Sequence, residues 1–178
     1  AVGAPLPVIT GLPGSGRHNL AAAAAGILEC AAVELPLGRI FLDRILATPP
    51  EMLLENLILA RQHMGAREVL VISDAEQLLG LPASERRPAM VEMSRIPRII
   101  LIARGRPGKT TRLVNGISLA CPGLRGKEEV RQLIQAEYPR MKQIADSALT
   151  AICRAASVAG AGILPGQVLY LVRLGAFL

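Results

Sequence analysis

Chemistry in this chain begins at Gly11-Leu12-Pro13-Gly14-Ser15-Gly16-Arg17-His18-Asn19, where a short apolar run breaks on glycines and passes into an alanine-rich stretch. Strand, glycine-rich turn and helix, in that order, make a phosphate cradle. The glycines let successive N–H groups and a positive helix N-terminus converge on one anion. The full motif continues with Lys and then Ser or Thr, whereas here Arg17 and His18 follow. Arg17 keeps a positive charge in place of a compact ammonium. His18 offers an imidazole where a hard cation such as Mg²⁺ wants oxygen. The segment therefore suits ATP or ADP phosphates, and the residue types leave Mg²⁺ doubtful.

A second group of polar residues closes the apolar run Glu68 to Ile72, namely Ser73-Asp74-Ala75-Glu76. Asp74 and Glu76 are the candidate catalytic acids, and capping the turn after a buried strand is the structural role open to both. Arg104 and Arg106 follow the run Arg98 to Ala103, and Arg112 lies a little further on. His18 and His63 do not combine with acids or thiols at ligand spacing, and Cys30, Cys121 and Cys153 are far apart, so no metal site is expected. The three cysteines read as buried free thiols. Met64, Met90 and Met93 read as packing residues.

These groups need a scaffold, and the rest of the chain supplies one. Of 178 residues, 51 % are apolar and 2 % aromatic, so a core of Leu, Ile, Val and Ala is expected. The formal net charge is +6, but Lys and Arg are scattered. A scattered excess makes no footprint, so nucleic-acid binding is possible but not favoured. No apolar run reaches the roughly 18 residues that a bilayer span needs. The expectation is a soluble, cytoplasmic chain without membrane contact, and the early start of the first strand suggests a piece of something longer.

Asn19 to Cys30 reads as a helix, and the segment AAVELPLGRIF as a second strand ended by Pro36 and Gly38. Thr48-Pro49-Pro50-Glu51 starts a helix that carries Leu53, Leu57 and Ile58 to Gly65. A short helix is expected around Pro88 to Ser94, and Ile117 to Ala120 supplies a fifth strand. Alternating strands and helices predict an α/β fold with a parallel five-stranded sheet and helices on both faces. Ligands on such sheets bind at the carboxyl ends of the strands, where the glycine loop and Asp74 fall. From Pro122 the character changes. Lys127 to Tyr138, Lys142 to Ala159 and Pro165 to Leu178 read as three helices with no strand between them, so residues 1–121 and 122–178 form separate subdomains.

Taken together, GLPGSGRHNLAAAAAG, VELPLGRIF, ENLILARQHMGAREVLVISDAEQLLG, RIILIARGRPG and GILPGQVLYLVRLGAF resemble, in order and spacing, the motifs of the AAA+ ATPases, in particular the protease and unfoldase branch. The resemblance implies a P-loop core with an all-α lid subdomain, nucleotide held at Gly11, Pro13, Gly14, Ser15, Gly16, Arg17, His18 and Asn19, and a ring-type assembly with other AAA+ subunits. It aligns Ser73 with the metal-side Asp and Asp74 with the catalytic Glu. A shifted frame makes Asp74 the metal-side acid and Glu76 the base. Sensor 1 then falls among Arg104, Gly105 and Arg106, and Arg112 is the candidate arginine finger. With Lys, the hydroxyl and the metal-side acid all replaced, the reading is a degenerate AAA+ domain that is hydrolysis-deficient and structural or regulatory. The alternatives are an active protein-remodelling ATPase and a DNA-associated subunit of the clamp-loader kind.

Overall fold

A computed structural model of the chain describes residues 5–42, 49–105, 108–141, 143–159 and 161–175. Contacts divide the chain into two compact units: Ala1–Gly11 with Arg17–Ala120, and Leu12–Gly16 with Cys121–Leu178.

The first unit is α/β. Its strands are β1 (Pro7–Gly11), β2 (Ala31–Pro36), β3 (Glu68–Ser73), β4 (Ile99–Arg104) and β5 (Ile117–Ala120), all parallel, in the order β2-β3-β4-β1-β5. The central strands β1, β3 and β4 are apolar on both sides because helices cover both faces. One side of the sheet buries Val8, Leu70, Ile72, Ile99 and Leu101 with Leu53, Leu57, Ala89 and Met93 of helices α3 (Pro49–His63) and α4 (Ala83–Arg95). The alternate residues Ile9, Val69, Val71, Ile100 and Ile102 are equally buried. Helix α1 (Arg17–Ile27) packs on the sheet with Ala21 and Ala25 buried, one helical turn apart, small enough for close approach. Met93 is fully buried, and Met64 and Met90 pack against the same core.

Several expected boundaries move. Leu37–Leu42 is a helix, α2, rather than the tail of the second strand. Pro36 ends β2, and Leu37 and Ile40, three residues apart, then turn into the core as a helix requires. Helix α4 starts at Ala83 and carries Pro88 inside it, where the missing N–H forgoes one helical bond. A 3-10 turn spans Ala75–Gly80, and a short helix α5 (Lys109–Leu113) precedes β5. Thr48, the expected helix cap, lies outside the described residues.

The second unit contains α6 (Lys127–Glu137), α7 (Asp146–Ala156) and α8 (Pro165–Arg173) around Val130, Ile134, Leu149, Ile152, Val168 and Val172. It is not purely helical as expected. Two antiparallel strands, β6 (Ser157–Val158) and β7 (Gly162–Ile163), stand between α7 and α8, and Leu124 bridges to Ile163. These pieces are too short to leave a period in the sequence. The three cysteines are free thiols but half-buried rather than buried. Among the described residues, no helix is long and apolar enough to cross a membrane.

Candidate functional site

Because the sheet is parallel, Gly11, Pro36, Ser73 and Arg104 all end their strands at one edge. The chain leaves β1 toward the β2 side and leaves β4 toward β5, and Gly105 N donates to Gly11 O at 3.0 Å where these two neighbouring strands end. A reversal of this kind is where open parallel sheets take ligands.

Asp74 follows β3 in the left-handed region, φ 54°, a conformation that Asp tolerates better than most residues. From there its Oδ1 accepts from Arg104 Nη2 at 3.0 Å and from Arg104 Nε at 3.2 Å. Glu76, in the 3-10 turn, reaches the same guanidinium, with Oε1 3.2 Å from Arg104 Nε, while its Oε2 accepts from the Arg104 backbone N–H at 3.0 Å. The two candidate acids and one candidate sensor residue therefore form a single cluster. Arg104 bridges the pair, and Glu76 also caps the end of β4.

Ser73 does something the sequence did not disclose. Its Oγ donates to Glu34 Oε1 at 2.6 Å, and His18 Nε2 stands 3.4 Å from that same oxygen. The register pairs Pro36 with Ser73, so Glu34 and Ser73 are diagonal neighbours on one face of the β2–β3 pair. Glu34 was missed because a lone acid on an exposed edge strand reads as a solvated side chain.

Arg17 is buried at the start of α1, whereas His18 and Asn19 are exposed. Arg112 is exposed on α5, a short helix in contact with the 3-10 turn that carries Glu76. Arg106 lies outside the described residues. Thr10, at the end of β1, shares a 3.2 Å hydrogen bond with Ser118 of β5.

The glycine loop belongs by its contacts to the second unit. Gly14 and Gly16 have φ 82° and 87°, values that need glycine. Ser15 N donates to Leu12 O at 3.1 Å, closing the turn. The loop carbonyls are engaged: Gly14 O accepts from Gly166 N at 2.8 Å, and Ser15 O from Cys121 Sγ at 2.9 Å. Ser15 Oγ is buried with no hydrogen-bond partner among the described residues. A buried orphan hydroxyl in a tight glycine turn fits an anion acceptor.

Mg²⁺ fits less well. At the positions of the usual hydroxyl and acid stand His18 and Ser73, and the neighbouring carboxylate, Glu34, is already shared between them. Among the described residues, no group of three His, Cys, Asp or Glu side chains could hold a metal ion. Compared with known proteins, the chain matches no family model and no curated protein sequence.

Proposed function

We propose that this chain is a degenerate AAA+-like domain that holds a nucleotide through Gly11–Asn19 without turning it over. It serves as a structural or regulatory module in an oligomeric or tandem assembly, with residues 122–178 as its lid subdomain. The reading draws on the order of motifs in the sequence and is supported by the five-stranded parallel sheet. The observation that carries it is the Arg104 bridge. Asp74 and Glu76, the two acids available as a general base, are both bonded to one guanidinium.

Phosphoryl transfer depends on positioning and electrostatics. A general base must be within hydrogen-bond reach of the water it activates, and both carboxylates here are turned to Arg104 instead. The backbone of Gly14–Gly16 and the charge of Arg17 hold the phosphates, a task that needs no base. Binding therefore survives on this framework while turnover does not.

The test is nucleotide content and turnover of the purified protein, with its mass in solution. ATP or ADP is expected to bind with no multiple turnover. Multiple turnover of ATP that Arg17→Ala abolishes would overturn the reading, and failure of any nucleotide to bind would remove it altogether.

A further inference from the structure

We infer that a nucleotide held by this loop is bound without a divalent cation, because His18 and Ser73, the residues at the cation-ligand positions of the chain, are engaged with Glu34 instead; this rests on the nucleotide-holding reading above.

In phosphate-binding loops, the cation is gripped by the hydroxyl that follows the loop's lysine and by an acid ending a neighbouring strand. The corresponding residues here are His18, at the second position of α1, and Ser73, at the end of β3. Neither is a carboxylate, and both turn to the same atom, Glu34 Oε1, at 3.4 and 2.6 Å. Mg²⁺ requires a near-octahedral set of oxygens and gives up water reluctantly. The local supply is one carboxylate that already accepts a hydroxyl proton and faces an imidazole.

The remaining acids at this edge cannot make up the deficit, since Asp74 and Glu76 are both paired with Arg104. The local set keeps one carboxylate but loses the ligand hydroxyl, and one of its carboxylate oxygens is already shared by Ser73 and His18, so too few free oxygens remain to grip a dication. Phosphate charge is then met by the N–H donors of the loop, with no metal between.

The experiment is calorimetric titration of the full chain with the imido analogue of ATP, once with Mg²⁺ and once with excess chelator. The expected Kd is the same in both within about a factor of two. A greater loss of affinity on chelation overturns the inference and leaves the nucleotide-holding reading intact. Absence of binding in both conditions overturns that reading and this inference with it. A second titration uses the triple variant His18→Thr, Glu34→Gln, Ser73→Asp, which rebuilds the hydroxyl–acid pair. It is expected to bind about tenfold more tightly with Mg²⁺ than with chelator. Equal binding there would show that these three residues are not what excludes the cation.

Discussion

The carboxylate of Asp74 rests where a side chain at position 38 would begin. A Cβ on Gly38 would lie 2.6 Å from Asp74 Oδ2 and 3.4 Å from its Cγ. Gly38 is the second residue of the short helix α2, and the space it leaves lets Asp74 sit in its left-handed turn and face Arg104.

This contact offsets an ordinary rule. Replacing a helical Gly by Ala gains up to about 1 kcal/mol of helix propensity. Gly38→Ala should instead give no gain, because Asp74 must shift from Arg104, a partly exposed pair worth about 0–1 kcal/mol. On an Asp74→Ala background the same change should stabilise by up to about 1 kcal/mol. Urea denaturation of the four proteins gives the answer. The same change of midpoint on both backgrounds would rule the contact out.

How far the fold can be read from the chain follows from the kind of signal each element carries. The runs at β3 and β4 are buried on both faces, so their apolar continuity marks them directly. Helix α2 is six residues long, too short for a period to stand out from the strand before it. Strands β6 and β7, of two residues each, exist through pairing alone. At the candidate site, Asp74, Glu76 and Arg104 could be picked out by type and place, but their common bridge is a tertiary fact. Glu34 was out of reach because its partners stand 16 and 39 residues away, and nothing local distinguishes it from a solvated acid.

In the second unit, Gly166 packs against Gly14 as closely as two backbones allow. A Cβ on Gly166 would lie 3.0 Å from Gly14 Cα and 3.1 Å from Gly14 O, and these are main-chain atoms that cannot swing aside. Gly166→Ala should therefore open the 2.8 Å Gly166 N–H to Gly14 O bond and cost about 1–3 kcal/mol as overpacking. Hydrogen exchange at the Gly166 amide reads this locally. Unchanged protection in the variant would mean that the loop and α8 accommodate the methyl group.

Glu92 is 8 % exposed and holds two arginines: Arg61 Nε donates to its Oε2 at 2.9 Å and Arg95 Nη1 to its Oε1 at 2.5 Å. The first of these ties α3 to α4. Arg61→Ala should destabilise by about 1 kcal/mol, less than a fully buried pair because the Arg61 side chain is partly exposed. Arg61→Lys should recover only part of the loss, since an ammonium lacks the planar donor fork. Equal midpoints for parent and Arg61→Ala in urea would mean that Arg95 alone suffices for Glu92.

Asp146, the first residue of α7, accepts from Lys127 Nζ at 2.7 Å, and Arg131 Nη2 stands 3.9 Å from its other oxygen. The Lys127 hydrogen bond and then the Lys127 charge hold the Asp146 carboxyl below its usual range, with Arg131 adding to them. A carboxyl that titrates lower in the folded chain than in the unfolded one contributes stability above the unfolded value, about 3.9. The contribution fades as pH falls through the lower folded value, where both states bind the proton. Lys127→Met should therefore weaken the protein at neutral pH and converge with the parent in strong acid. Carbon-13 titration of the Asp146 carboxyl should show its midpoint rising in the variant. An unmoved midpoint would mean that the lysine contributes nothing to the carboxylate, and the difference in stability at neutral pH should then be independent of pH down to strong acid.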